Sequence, residues 1–205
     1  MTRIRPFEPA DLEACYAVSL STGFEGGDAS HLYRDPKLMG HLYVAPYALL
    51  EPTLALMVED SDGVAGFAVG TADTVAWEER LEREWWPSLR GGYADPADVP
   101  AEERTPDQRR AFMIHHPART PPAVAREYPA HLHMNLLPRT QRRGIGSELL
   151  RLWLVKVGAP AVHVGVNRAN AGGARFWAAR GFEALPVPGR TLWMGRALRA
   201  SIHHD

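Results

Sequence analysis

The sequence predicts a mixed α/β (α+β) sandwich, with helices flanking a central sheet of parallel and antiparallel strands. Three observations predict it. After residue 130 the apolar pattern alternates strand, helix, strand, helix, strand; the chain opens with a short strand followed by a helix; and two apolar runs of strand length flank Asp62-Gly63. With 205 residues, 45% of them hydrophobic, the chain holds enough apolar material for one sizeable core, so a single domain over 1–205 is expected.

Taken in order, "TRIRPFEPADLEACYAVSL" reads as a strand around Ile4, a loop through Pro6 and Pro9, and a helix with Asp11 as N-cap and Leu12, Cys15, Tyr16 and Leu20 at helical spacing. Cys15 falls on that apolar face, where a buried, inert thiol outweighs a nucleophile. From Gly23 to Pro52 the pattern is poor, with Tyr33, Tyr43 and Tyr47 among glycines and prolines, and broken helix and loop are expected. In "TLALMVEDSDGVAGFAVGTADT" the Asp-Gly dipeptide suits the positive φ of a tight hairpin turn. Residues 75–130 look inserted: Trp77, Leu81 and Trp85 share one helical face, and a charged, Pro-rich stretch without clear strands follows. That tryptophan stripe fits a helix docking on the core better than an aromatic cage, and so long a connection is otherwise a functional lid or a partly ordered loop. Strand 131–137, helix 147–157, strand 161–167, helix 171–180 and a last strand near "TLWMGRAL" complete the series.

Charge excludes some function classes. Lys and Arg total 23 against 24 Asp and Glu, so no global field attracts nucleic acid or an anionic membrane, and neither partner is expected. The lone cysteine and the absence of an apolar N-terminal run make the cytoplasm the expected location.

The chemistry is concentrated in "LPRTQRRGIGSELL". A strand ends at Pro138, and Gly144 and Gly146 precede a helix striped with Leu149, Leu150, Trp153, Leu154 and Val157, which Gly158 and Pro160 end. Glycines at a helix entry remove Cβ atoms that would obstruct a close ligand, while unpaired amides and the positive end of the helix dipole point at it. A phosphate or pyrophosphate fits, and Arg142 and Arg143 add mobile positive charge. The stretch lacks the Gly-Lys-Ser/Thr ending of a P-loop, and Leu149 stands where a dinucleotide fingerprint needs a third glycine or alanine, so ATP and NAD fit poorly. A plain strand-to-helix loop with solvated arginines is the alternative reading of these residues.

Gln141, Arg142, Arg143, Gly144, Ile145 and Gly146 resemble the pyrophosphate loop of the GCN5-related N-acetyltransferases (GNAT), and "IRPFEPADLEA" and "NAGGARFWAARGF" resemble that family's first strand and helix and its last motif. Over nearly the whole chain the sequence is similar to the C-terminal acetyltransferase-like domain of the O-GlcNAcases, a likeness carried by "DGVAGFAVGTAD", "WWPSLRGGY" and "TLWMGRAL". The resemblance implies the GNAT fold: a central mixed, mostly antiparallel sheet, a helical insertion before the fourth core strand, and a splayed parallel strand pair at an acetyl-CoA site. It implies acetyl-CoA as cofactor, its diphosphate on residues from Gln141 to Ser147 and its pantetheine along Leu136 and Leu137, with Asn170 and Trp177 completing the site. The implied acceptor is an amine-bearing small molecule or peptide, and a monomer or homodimer is expected. In the animal O-GlcNAcases the glycine loop is missing; here it is intact, which favours cofactor binding and leaves an acetyl-CoA-binding module without turnover as the alternative to an N-acetyltransferase.

By two-residue alternation His131, His133 and Asn135 share one strand face, expected to look into the ligand cleft. "AHLHMNLL" resembles the strand of the arylalkylamine N-acetyltransferases in which a His-x-His pair relays the amine proton, so His133, helped by His131, is the implied base. Two other readings stay open: polar fillers that bond the insertion, and metal ligands, for which no partner cluster has the right spacing. Asn135 stands where the O-GlcNAcase domain has an aspartate and can orient but not accept a proton, and Trp177 stands where most of the family has a tyrosine acid. Trp177 is then a wall of the thioester tunnel, Phe176 and Phe182 are core, and Tyr33, Tyr43, Tyr47, Tyr93 and Tyr128 are the tyrosines that could supply an acid instead.

Overall fold

The computed structural model describes residues 2–198. Among them one sheet holds β1 (Arg3–Pro6), β2 (Leu56–Asp60), β3 (Gly63–Thr71), β4 (Ala130–Leu136), β5 (Ala161–Asn167), β6 (Glu183–Ala184) and β7 (Thr191–Ala197), in the order β1-β2-β3-β4-β5-β7-β6. All neighbours are antiparallel except β4 and β5, which run parallel, so the mixed, mostly antiparallel sheet expected from the sequence is present.

Helices cover both faces. On one side lie α1 (Leu12–Ser21), α2 (Leu38–Tyr43) and α3 (Ala45–Leu50), joined by α4 (Thr74–Glu84), α5 (Trp86–Arg90), α6 (Pro106–His115) and α7 (Pro122–Glu127) of the insertion. On the other lie α8 (Ile145–Val157) and α9 (Ala171–Ala178). Strand alternation divides the core accordingly: Leu56, Val58 and Leu132 face Trp153 and Trp177, while Met57, Phe67 and Val69 face Tyr47 and Trp77. The Gly23–Pro52 segment is broken helix and loop as expected: no helix forms in it before residue 38, and α2 and α3 follow, with Pro46 in the first turn of α3, where its missing N–H is harmless.

Local chemistry moved some boundaries. Asp11 does not cap α1 with its side chain; its carboxylate takes the Arg5 guanidinium at 2.6 and 2.7 Å and the Glu8 amide at 2.8 Å, since a charge-assisted fork outcompetes a single cap bond. The hairpin turn falls on Ser61 and Asp62, and Gly63, at φ 98°, opens β3 instead of completing the turn. Cys15 is wholly buried and its thiol is pushed up to about 12 by burial, which makes it inert.

The insertion is docked, not loose. Trp77 stacks on Tyr47 with ring centroids 4.5 Å apart, Leu81, Trp86 and Ile114 are buried beside it, and the half-buried Trp85 donates to the His41 carbonyl at 2.9 Å. Asp73 and Thr105 cap α4 and α6 by accepting from Ala76 and Gln108.

The fully buried Trp153 ring of α8 lies directly over β3 at Gly70: a Cβ there would come within 2.6 Å of the ring and 2.1 Å of the His131 carbonyl oxygen. Gly70→Ala is therefore expected to lower the unfolding free energy by about 3 kcal/mol in urea titration, whereas Gly91→Ala, where a Cβ meets nothing within 4 Å, leaves the midpoint unchanged.

Candidate functional site

β4 and β5 are in register only at Ala130↔Val162 and His131↔His163. Beyond that rung β4 stays zipped to β3 as far as Leu136, and β5 to β7 as far as Asn167, so the two strands part. Their facing edges line a cavity of about 760 Å³. A strand edge without a neighbour presents unpaired N–H and C=O groups, which favours a ligand that can bond like an added strand.

At the open end of this splay the chain turns through residues 138–140 and enters α8. Arg142 (φ 58°) and Gly144 (φ 79°) are left-handed, a conformation that costs a non-glycine residue about 1 kcal/mol. The amides of Ser147 and Glu148 both turn back to the Gly144 carbonyl, at 3.0 and 3.1 Å. The five preceding amides, Arg142 to Gly146, have no acceptor among the described residues, and with the positive end of α8 behind them they are donors of the kind that suits an anion.

The two glycines act differently. A Cβ on Gly144 would meet nothing within 4 Å, so the space beside it is open to a ligand. A Cβ on Gly146 would lie 3.1 Å from Phe176 and 3.2 Å from Leu136, so this glycine, which also lines the cavity, is needed for the close packing of α8 on α9 and β4. Gln141 is tied to the loop's own frame, its side-chain amide donating to the Leu136 carbonyl at 2.7 Å. Leu136 and Ser147 line the cavity; Leu137 does not, and its amide is spent on the Ala65 carbonyl at 2.8 Å. Ile145 packs on the core and Arg143 is exposed outside the cavity wall. Asn170 borders the cavity, but its side chain caps α9 through the Gly173 amide at 2.8 Å.

The sequence reading missed Arg180. Its guanidinium lies 3.6 Å over the Phe176 ring, donates to the Phe176 carbonyl at 2.9 Å and to the Ser147 hydroxyl at 2.6 Å, and so stands fixed beside the entry to α8. The signal was the i,i+4 spacing of Phe176 and Arg180 in "FWAAR". Phe176, expected in the core, lines the cavity, while Phe182 is core as expected; Trp177 also lines the cavity, edge-on to both rings. Four arginines (Arg110, Arg142, Arg175, Arg180) and one carboxylate, Glu25, line the cavity of a chain whose net charge is −1.

The polar face of β4 divides. His131 is buried and outside the cavity, with Nδ1 2.7 Å from the Thr74 hydroxyl and Nε2 2.6 Å from the Tyr47 hydroxyl. Thr74 gives its single proton to the Pro129 carbonyl, so His131 donates from Nδ1 and accepts at Nε2. Both nitrogens are committed, and His131 ties the insertion to the sheet instead of assisting in the cleft. His163 is likewise held, by the Tyr128 carbonyl at 2.7 Å. His133 lines the cavity between the rings of Tyr43 and Tyr47, with no hydrogen-bond partner among the described residues. Asn135 also lines it and donates to the Thr22 hydroxyl at 2.6 Å. Of the five tyrosines considered from sequence, Tyr43 is the one in the cavity wall.

No family model matches the chain. The crystal structure of SsHAT is 36% identical, with a TM-score of 0.88 over 96% of this chain and 98% of that one. The PaiA N-acetyltransferase of Thermoplasma acidophilum, solved in complex with coenzyme A, is 15% identical with a TM-score of 0.55 over 97% and 99%, a likeness of fold alone. Protein O-GlcNAcase of Rattus norvegicus and of Mus musculus is 27% identical over 93 residues, 45% of this chain, and the alignment spans 10% of the length of those relatives.

Burial holds His131 neutral well below the usual imidazole range and lowers His133 and His163 to about 4. The unfolded chain, titrating near 6.5, then takes up protons that the folded chain refuses. Stability is expected to be fully present above pH 6.5 and to be lost progressively as pH falls from 6.5 to about 4. A Tm flat across that interval would contradict the buried neutral trio.

Proposed function

The chain belongs to the GCN5-related N-acetyltransferase superfamily, and within it we propose that this protein transfers the acetyl group of acetyl-CoA to a primary amine. The observation that carries the reading is the run of five unpaired amides at the entry to α8, opening on the splay of β4 and β5. Those amides would hold the diphosphate, with Arg142 and Arg180 supplying charge, and the strand edges would take the amides of pantetheine. Bound acetyl-CoA supplies an activated acyl group and a thiolate leaving group.

The chain's own part is proton handling and exclusion of water. His133 is the cleft histidine whose nitrogens are uncommitted among the described residues, and it is neutral at pH 7, so it can accept an acceptor's proton directly or through water. With burial lowering it to about 4 it holds a proton poorly and acts as a relay, passing the proton on. Asn135, fixed by Thr22, orients what lies beside it. Trp177 has no proton to give, so the thiolate leaves without an acid from that position. Binding without turnover is the second reading, and Trp177 is the observation that favours it.

Two measurements test this. Calorimetry should find coenzyme A bound by the wild type, and Gly144→Glu should weaken binding at least about 100-fold by placing a carboxylate where the diphosphate lies; Gly144→Ala, carrying the same backbone strain without the charge, should lose far less. His133→Ala should lower kcat about 100-fold with acetyl-CoA affinity unchanged. Saturable binding with no thiol released on any amine would establish the second reading.

A further inference from the structure

The cleft carries a cation that the diphosphate reading does not use. Arg110 of α6 lines the cavity from the insertion, on the opposite side of the sheet from α8 and α9. Its Nε donates to the Tyr33 hydroxyl at 3.1 Å and its Nη1 to the Tyr43 hydroxyl at 2.9 Å; the Tyr43 ring in turn lies 5.6 Å from the His133 ring. Arg110 is half-buried and forms no ion pair among the described residues, and its Nη2 has no partner there. Guanidinium withdrawn from water beside neutral phenols is costly unless an anion joins it. On the same side lies a buried group without a partner. The Ser19 hydroxyl, at 3% exposure, borders the cavity without a hydrogen-bond partner, one turn before Thr22, which holds Asn135.

We propose that Arg110, backed by Tyr33 and Tyr43, is the acceptor-recognition group, and that the acceptor is an amine carrying a carboxylate. This rests on the acetyl-transfer reading and names its substrate class. Tyr33 and Tyr43 pin the guanidinium plane while leaving the Nη2 edge for an incoming oxyanion, and Ser19 offers a hydroxyl to the same wall. One guanidinium balances one negative charge, which suits a carboxylate better than a doubly charged phosphoryl group. Glu25 is the one carboxylate in the cavity wall among the described residues, so negative charge opposing such a ligand is sparse. The gripped acid would leave the amine to be presented to His133.

The test is thiol release from acetyl-CoA with a ladder of ω-amino carboxylates from glycine to 6-aminohexanoate, each paired with the alkylamine of equal length and with the matching phosphonate. At least one carboxylate should exceed its alkylamine in kcat/KM by about 30-fold or more. Arg110→Met should bring the carboxylate-to-alkylamine ratio of kcat/KM down to about 1, and Arg110→Lys, which keeps charge without the fork, should retain part of the advantage. Alkylamines matching every carboxylate, a variant that slows both classes alike, or a preference for the phosphonate would each overturn the assignment. If no amine releases thiol, transfer itself fails and the subsite is read by calorimetry. Binding of an N-acetyl ω-amino acid but not its N-alkylacetamide, lost in Arg110→Met and weakened in Arg110→Lys, supports the subsite; equal binding of the two compounds, or binding unchanged in Arg110→Met, refutes it.

Discussion

The parting of β4 from β5 is the constraint on which the site depends. Each strand is fully occupied on its other edge, β4 through six registered pairs with β3 and β5 through seven with β7, so neither can swing to close the gap without breaking a ladder. The last shared rung, His131↔His163, is clamped by hydrogen bonds that His131 accepts from Tyr47 and donates to Thr74, and that His163 donates to the Tyr128 carbonyl. The cleft is therefore formed before any ligand arrives, and binding need not order it. The same divergence lets α8 begin at the mouth of the gap, where Arg142, Gly144 and Gly146 of the unpaired run line the cavity.

Charge is sorted in the same way. A chain of net charge −1 has no long-range field, yet four arginines reach one cavity from three different segments: the loop before α8, α9 with the turn that follows it, and the insertion. Some cations elsewhere are paired by carboxylates, as Arg5 is by Asp11 and Arg139 by Asp60, whereas none of these four forms an ion pair among the described residues. Arginines without such partners concentrate positive potential in the cleft, where it acts on a bound anion.

Much of this was legible in the sequence, because alternation and helical spacing report which residues share a face. The alternation of strand and helix after residue 130, apart from the two-residue β6, the hairpin, the docked tryptophan stripe and the glycine loop were readable. What covers a face was not readable. Periodicity put His131 and His133 on one side of β4, but only tertiary packing determines that Thr74 and Tyr47 close over the first and leave the second open. Gly144 and Gly146 look alike in sequence; one borders open space and the other accommodates Phe176. Arg110 could not be found from pattern at all, because it arises in a charged stretch of the insertion whose docking geometry spacing does not encode.

The insertion is thereby more than an appendage to the acetyltransferase fold. Thr74, in its first turn, fixes the tautomer of His131 by spending its only proton on the Pro129 carbonyl, and Trp77 stacks on the Tyr47 that closes over His131 and packs edge-on to His133. Those contacts bury the imidazoles and keep His133 neutral. The same segment then sends Arg110 to the wall that His133 shares with Tyr43. A helix docked for packing reasons alone would put apolar side chains there, since an unpaired guanidinium weakens an interface. Its presence is accounted for if the insertion supplies what the sheet lacks, a means of selecting which amine reaches the relay.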